Sequence, residues 1–117
     1  MVRSKSEAII ADKLYAHREE VLYKYERPLT VYSREREIVF HPDFTILNKS
    51  TGKIYYWEHE GRLMDPRYAH DMVDRTKKYS DNDVVLGINL FYTFETYDCP
   101  LDMYLVNSIL NVILNQR

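Results

Sequence analysis

Two carboxylates lie at the ends of a segment whose pattern predicts a β-hairpin. Asp43 opens one run of apolar and β-branched residues, and Glu58 stands near the end of the next, with the turn-forming sequence 49–52 between them. With that loop, Asn48 faces Lys53, and the same register places Asp43 directly opposite Glu58. Opposite residues on antiparallel strands point to the same face, with Cβ atoms about 5 Å apart. The sequence therefore predicts two neighbouring carboxylates on one face.

Two carboxylates at this separation repel each other unless a cation lies between them. Oxygen ligands so placed suit a hard divalent cation such as Mg²⁺ or Mn²⁺. A slip of one residue in the register would send the two side chains to opposite faces, where they would be ordinary solvated acids. A metal site and a pair of solvated strand-end acids are both compatible with the spacing.

The remaining pattern predicts the elements that position these acids. A capping box at Ser4 and Glu7 opens a first helix, which runs to about Arg18. A second helix begins with Asp65 as N-cap and Pro66 as the first helical residue. The predicted strands cover 21–32 (interrupted or edged at Pro28), 38–40 beyond a turn at 34–37, 43–48, 53–59 and 89–94, and a last helix follows Asp102. This alternation of helices and strands predicts one mixed α/β domain over residues 1–117.

Composition restricts the classes of function. The chain has 117 residues, a formal net charge of −2, one cysteine and three glycines. A single cysteine excludes an internal disulfide and zinc sites of the CxxC type, and we expect Cys99 to be a buried or half-buried thiol. No glycine-rich phosphate-binding loop is present. The chain also lacks an apolar run long enough to span a bilayer and a secretory signal, so we expect a cytoplasmic protein with no membrane partner.

Four short motifs occur in order along the chain. They are Arg3-Ser4-Lys5-Ser6-Glu7, His41-Pro42-Asp43-Phe44, Tyr56-Trp57-Glu58-His59 and Thr93-Phe94-Glu95. Together they resemble the PD-(D/E)XK, or restriction-endonuclease-like, nuclease superfamily, over nearly the whole chain. The similarity is greatest to a bacterial branch with Ser-Lys-Ser-Glu, Pro-Asp-Phe and Trp-Glu-His motifs. It implies an αβββαβ core with a mixed sheet flanked by helices. In that branch the domain is often the C-terminal part of a longer protein, which would make this chain an excised domain.

The resemblance implies metal-dependent hydrolysis of phosphodiester bonds in DNA. Asp43 and Glu58 would hold Mg²⁺ or Mn²⁺, and Glu7 would complete or orient the metal site. The capping box alone also explains Glu7, so both roles stay open for that residue. His59 follows the second acid and is interpreted as a packed or hydrogen-bonded histidine, with a supporting role at the site as the alternative.

The chain departs from the superfamily motif at one position. The motif has a lysine two residues after the second acid, whereas this chain has Glu60. Glu60 could be a third acidic group beside the site or an exposed strand residue, and we expect it to be exposed. The branch takes its cation from the following helix, where the matching position is Arg75, with Lys77 and Lys78 nearby. An arginine can bind phosphate bidentately, but its high pKa makes it a poor proton acceptor. A solvated helix face would equally explain these three basic residues.

Two functions therefore remain for comparison. The first is a metal-dependent nuclease with Glu7, Asp43 and Glu58 as its acids and Arg75 or Lys78 as its cation. The second is a catalytically inactive nuclease-fold domain that binds nucleic acid or another protein. The absent lysine and the net charge of −2 favour the second, because a DNA-binding protein of this charge needs a local basic site. The three intact acids favour the first. Partners would be DNA and either a second copy of the chain or domains of a parent protein.

Overall fold

A computed structural model describes residues 4–115 of the protein. The elements, in chain order, are α1 (Lys5–Ala16), β1 (Val21–Tyr25), β2 (Leu29–Ser33), β3 (Arg36–Phe40), β4 (Phe44–Asn48), β5 (Ile54–Glu60), α2 (Pro66–Asp81), β6 (Leu90–Phe94) and α3 (Met103–Ile113). Four strands form a sheet in the order β1-β4-β5-β6, and β2 and β3 form a separate two-stranded sheet. The predicted mixed α/β class, with a mixed sheet flanked by helices, is confirmed.

The four-stranded sheet combines antiparallel and parallel pairs. β4 is antiparallel to both β1 and β5, whereas β5 and β6 are parallel. Parallel neighbours need a crossover connection, and α2 lies within it. Five strands precede α2, and three of them, β1, β4 and β5, belong to the four-stranded sheet.

The register of the β4–β5 hairpin is the one predicted from its loop. Phe44 lies opposite Trp57, and Leu47 lies opposite Ile54. Gly52 closes the loop with a φ of 74°, in the left-handed region that glycine adopts without a steric penalty. One step beyond the Phe44–Trp57 pair, the same register places Asp43 opposite Glu58 at the end of the hairpin.

Both faces of the sheet are covered. On one face, α1 and α3 bury Ile10, Leu14 and Ile109 against Phe44 and Trp57 of the central strands. On the other face, α2 and the β2–β3 hairpin enclose a second core that contains Val31, Tyr79, Leu90 and Tyr92. The central strand β5 is therefore buried on both sides, and its polar side chains need partners inside the protein.

The predicted interruption of the strand segment 21–32 near Pro28 is confirmed. The segment divides into β1 and β2, which belong to different sheets. Glu26 has a φ of 53° at the break, and Pro28 has no N–H to donate to a ladder. The following turn is tighter than predicted, because Arg34 (φ 51°) and Glu35 (φ 64°) alone reverse the chain between β2 and β3. This geometry is typical of a type I′ hairpin turn.

The predicted helix caps are confirmed. Ser4 Oγ accepts a hydrogen bond from the N–H of Glu7, and Asp65 accepts from the N–H of Arg67 at the start of α2. Asp102 caps α3 in the same way. The prediction for Cys99 is wrong, because the bend between β6 and α3 leaves its thiol exposed. No helix within residues 4–115 is long and apolar enough to cross a membrane. The cytoplasmic location stays a prediction.

Asn48 connects the β4–β5 loop to α3 and provides a test of the fold. Its side chain is buried, donates from Nδ2 to the carbonyl of Ile113 (2.8 Å) and accepts from the N–H groups of Ser50 and Thr51 at Oδ1. We expect Asn48→Ala to lower the free energy of unfolding by about 2–3 kcal/mol, because the carbonyl of the buried Ile113 and the N–H groups of Ser50 and Thr51 lose their partner. Urea titration measures this change. The control Asn107→Ala alters an exposed position of α3 and should change stability little; equal stability of both variants would contradict the assigned role.

Candidate active site

A cleft of about 650 Å³ opens at the end of the β4–β5 hairpin. Four of the five predicted site residues line it, namely Glu7, Asp43, Glu58 and Arg75. The fifth, Lys78, does not line the cleft; its Nζ lies 2.6 Å from Asp74 Oδ2 on the outer side of α2. The cleft is lined by four acids, Glu7, Asp43, Glu58 and Glu95, and by the guanidinium groups of Arg62 and Arg75.

Asp43 stands just before β4, and a backbone contact fixes its carboxylate. Its Oδ2 accepts a hydrogen bond of 2.7 Å from the N–H of His59. Burial raises the pKa of Asp43 to about 7, although the hydrogen bond from His59 opposes this shift. The neighbouring carboxylates of Glu58, Glu7 and Glu60 raise the pKa further. A cation in the cleft would relieve this repulsion.

Glu58 is buried, with Arg75 and the Tyr79 hydroxyl beside its carboxylate. Its Oε1 lies 3.1 Å from Nε of Arg75, close enough for an ion pair but without hydrogen-bond alignment. Its Oε2 is buried and has no hydrogen-bond partner among the residues that the structure describes. Burial raises the pKa of Glu58, and the positive charge of Arg75 only partly offsets that effect. An unpartnered buried oxygen is the atom that a bound cation would satisfy.

Glu60 is fully buried, so its predicted exposure is wrong. Its Oε1 accepts a 3.0 Å hydrogen bond from Nη2 of Arg75, and its Oε2 accepts one of 2.8 Å from the Tyr68 hydroxyl. Because side chains alternate along a strand, Glu58 and Glu60 share one face of β5. α2 covers that face, and Arg75 therefore contacts both carboxylates.

The periodicity of α2 explains which basic residue enters the cleft. Tyr68, Met72, Arg75 and Tyr79 follow one another at intervals of four, three and four residues, which places them on one side of the helix. Tyr79 on this side is fully buried against the sheet. Lys77 and Lys78 point away from that side and line a different groove. Of the three basic residues proposed as the cation, the structure places Arg75 in the cleft.

Glu7 reaches the cleft from the first turn of α1. Its side chain is buried, and the Tyr25 hydroxyl donates a hydrogen bond of 2.7 Å to its Oε1. Its backbone N–H is the group that Ser4 caps. Glu7 therefore takes part in both arrangements. Its backbone N–H belongs to the helix cap, and its carboxylate lies beside the other acids of the cleft.

His59 lies on the opposite face of β5 from Glu58 and is a buried, hydrogen-bonded histidine, as predicted. Its Nε2 lies 2.6 Å from Oε1 of Glu95, and its Nδ1 lies 2.9 Å from Oγ1 of Thr93. Trp57 Nε1 already donates to that threonine oxygen. The threonine hydroxyl is thus free to donate to Nδ1, which places the proton of a neutral imidazole on Nε2, facing Glu95.

The sequence analysis did not identify Glu95 as a site residue, although it occurs in the fourth motif. The same Oε1 that contacts His59 also accepts a 2.6 Å hydrogen bond from Ser6. Glu95 therefore connects β5 to α1. Its two partners, His59 and Ser6, are the sequence neighbours of Glu58 and Glu7. The Ser6 hydroxyl and His59 both hold the pKa of Glu95 below its usual range. The sequence feature that could have identified Glu95 is its position directly after a buried strand.

The residues of the cleft fit a hard divalent cation. Asp43, Glu58 and Glu7 offer carboxylate oxygens, and the unpartnered Oε2 of Glu58 leaves one of these oxygens without a protein donor. Within residues 4–115, no three side chains of His, Cys, Asp or Glu converge closely enough to enclose an ion by themselves. Water would supply the remaining ligands, as is common for Mg²⁺.

Comparison with known proteins adds no family assignment. A scan against models of protein families finds no match, and a search of curated proteins finds none either. The chemistry of the cleft and the order of the motifs are therefore the observations on which a function can be proposed.

The raised pKa of Asp43 predicts a stability that depends on pH. The ionised carboxylate is disfavoured in the folded protein, so the penalty grows as pH rises from about 3.8 to about 7 and is constant above that range. Asn at this position can still accept the hydrogen bond from His59. We expect Asp43→Asn to be more stable than the unsubstituted protein by about 2 kcal/mol at pH 8 in EDTA, after allowing for solvent screening, and equally stable near pH 4.

Urea titrations at the two pH values measure this difference. Asp12→Asn changes an exposed aspartate of α1 and should show no comparable gain at pH 8. If Asp43→Asn is no more stable than the unsubstituted protein at pH 8, the carboxylate is not destabilised by its surroundings.

Removal of Arg75 tests its role between the two buried glutamates. Arg75→Met leaves Glu58 and Glu60 buried without a counter-charge, so we expect a loss of about 3 kcal/mol at pH 8 in EDTA. The loss should shrink as pH falls, because the raised pKa of Glu58 lets its carboxylate take up a proton. Arg67→Met removes an exposed arginine from the same helix and is the control. Thermal and urea unfolding report both effects; a loss that does not vary with pH would argue for lost packing instead.

Proposed function

We propose that the protein is a metal-dependent nuclease that hydrolyses phosphodiester bonds in DNA within this cleft. The observation that carries the proposal is the pairing of Asp43 and Glu58 at the end of one hairpin, with an unpartnered carboxylate oxygen and the guanidinium of Arg75 beside them. Phosphodiester hydrolysis needs positive charge at the phosphate and a nucleophilic water, and these groups could provide for both.

The topology supports a restriction-endonuclease-like core for residues 1–117. Three antiparallel strands of the four-stranded sheet, β1, β4 and β5, precede α2. β6 follows α2 and pairs parallel to β5. This arrangement is compatible with the αβββαβ order implied by the motifs, with β2 and β3 as an inserted hairpin. The same resemblance suggests that the chain corresponds to the C-terminal part of a longer protein.

Asp43 and Glu58 would hold Mg²⁺ or Mn²⁺ through carboxylate oxygens, and Glu7 would orient or complete the metal site. When bound, the cation supplies a water of lowered pKa and positive charge at the attacked phosphate. The N–H of His59 keeps the Asp43 carboxylate in place, and Glu95 fixes the His59 ring. The acids therefore have a defined orientation before any ligand binds, which reduces the cost of assembling the site.

Arg75 would stabilise negative charge on the phosphate. A guanidinium can donate two parallel hydrogen bonds to phosphate oxygens and stays protonated at neutral pH. Burial lowers its pKa, but the charges of Glu58 and Glu60 outweigh this effect and raise it overall. Arg75 is therefore unsuited to proton transfer, and its proposed role is electrostatic. This division of roles differs from that implied for the superfamily lysine.

One observation favours the alternative, a catalytically inactive domain of the same fold that binds nucleic acid or protein. Glu60 is fully buried and already occupies one guanidinium nitrogen of Arg75. If this ion pair keeps Arg75 from the phosphate, the cleft retains its acids without the cation that lies beside Glu58. The two functions differ in whether the acids bind a metal and whether DNA is cut.

Cleavage of DNA is the direct test of the proposed function. We expect supercoiled plasmid or single-stranded DNA to be cut in the presence of Mg²⁺ or Mn²⁺, and Asp43→Ala and Glu58→Ala each to lower the rate by about 100-fold or more, since each removes a metal-holding oxygen. Asp12→Ala, at an exposed site, should cut at the normal rate. Cutting that survives both cleft substitutions would contradict the assigned site.

Calorimetric titration with Mn²⁺ separates the nuclease from the inactive domain. A nuclease should release or absorb heat on binding Mn²⁺, and Asp43→Ala should abolish that signal. Absence of both Mn²⁺ binding and cleavage in the unsubstituted protein would favour the inactive domain.

A further inference from the structure

A second groove, of about 670 Å³, lies between the tip of the β2–β3 hairpin and the C-terminal half of α2. We call it the hairpin groove. The basic residues that line it are Arg34 and Arg36 from the hairpin and Lys77 and Lys78 from the helix. Asp74 and Asp81 are the acids that line it, so its charged side chains amount to four positive and two negative. A local excess of positive charge thus exists in a chain whose formal net charge is −2.

The two sides of the hairpin groove are held in a fixed relation. Asn82, at the C-terminal end of α2, accepts a hydrogen bond of 2.9 Å from the N–H of Tyr32 and donates one of 3.0 Å to the carbonyl of the same residue. Val31 is buried on the inner face of the hairpin in the core formed with Tyr79. Because Ser33 and Arg36 pair across the hairpin on that same face, Arg36 extends from the core towards α2. The backbone segments that carry the positive charges are therefore fixed relative to each other before a ligand binds.

The turn at the tip of the hairpin adopts a backbone conformation that its residues do not favour. Arg34 and Glu35 both have positive φ, at two positions where glycine and asparagine are usual. A long charged side chain in the left-handed region carries a conformational cost that glycine would avoid. Such local strain is often found at binding sites, and here it places an arginine at the rim of the groove.

The hairpin groove and the active-site cleft share two walls. β3 contributes Arg36 to the groove and Val39 and Phe40 to the cleft. α2 contributes Lys78 to the groove and Arg75 to the cleft, about 4.5 Å apart along the helix axis. An isolated phosphate would fill only one of the two cavities. An extended polyanion could occupy both, with one of its phosphates in the cleft.

We propose that the hairpin groove binds the sugar-phosphate backbone of the DNA whose scissile bond lies in the cleft. The choice of DNA as the polyanion rests on the proposed function, whereas the location of the binding surface rests on the groove itself. Lysine and arginine side chains contact phosphates without reading the base sequence, so the groove would set the position and direction of the strand. Tyr32, exposed at the rim, offers an aromatic face to a sugar or a base.

Binding of DNA without cleavage tests this proposal. A fluorescent duplex of about 20 base pairs, or two helical turns, is titrated with protein in EDTA and followed by anisotropy at several salt concentrations. The double variant Arg36→Gln/Lys77→Gln removes one cation from each side of the groove. We expect it to bind about tenfold more weakly near 0.1 M salt, and the slope of log K against log salt to become about 2 less steep, because two phosphate contacts are lost.

The matched control is Lys24→Gln/Lys53→Gln, which removes two exposed cations that line neither cavity. It should bind like the unsubstituted protein, and Arg36→Lys/Lys77→Arg should restore most of the lost affinity. Thermal unfolding establishes that each variant is folded. If the groove double variant is unfolded, Lys77→Gln alone, on the exposed surface of α2, should reduce the slope by about 1.

The outcomes distinguish this proposal from the proposed function. Loss of binding in the groove variant, in a protein that does not cut DNA, supports the groove and contradicts the nuclease. Cutting by the unsubstituted protein, with unchanged binding by the groove variant, supports the nuclease and overturns the groove. Equal weakening of the groove and control variants would also overturn it, as would groove-dependent binding to phosphatidylserine vesicles with no binding to the duplex.

Discussion

The buried ion pairs of Arg75 are the interaction on which the candidate site depends. Its guanidinium lies 3.1 Å from Glu58 and 3.0 Å from Glu60, and Glu60 is fully buried. Covering two ionised carboxylates on one face of a central strand is costly unless the covering helix also brings a positive charge. The ion pairs of Arg75 therefore both allow α2 to pack on the sheet and determine the charge balance of the cleft. The same contacts determine how α2 is rotated about its axis, and so which residues face the other groove.

Much of the hairpin that carries Asp43 and Glu58 could be predicted from the sequence. The turn residues at 49–52 set the register, and the register set the relation of the two acids. Local signals of this kind are reliable because they depend on a few neighbouring residues. The division of the predicted strand 21–32 was harder to predict. Pro28 marked a weak point, but the positive φ at Glu26 and the transfer of β2 to another sheet follow from packing against α2.

The partners of the site residues depended on contacts that the sequence does not reveal directly. Glu60 has the polarity of an exposed strand residue, and only the helix packed on that face makes it a buried partner of Arg75. The contact between His59 and Glu95 requires the parallel register of β5 and β6, which local sequence does not determine. The choice of Arg75 over Lys77 and Lys78 was within reach of the sequence, since its spacing from Met72 and Tyr79 places it on the buried side of α2.

The chain connectivity also affects the order in which the site forms during folding. Asp43 and Glu58 are joined through a short loop, and isolated hairpins of this kind form within about 1–10 μs. Arg75 belongs to the crossover between two parallel strands, a non-local arrangement that is intrinsically slower to form. We therefore expect the acids to meet before Arg75 reaches them, so that the early hairpin carries an uncompensated repulsion. We expect the ionic strength during folding to affect the folding rate of this chain more than its final stability.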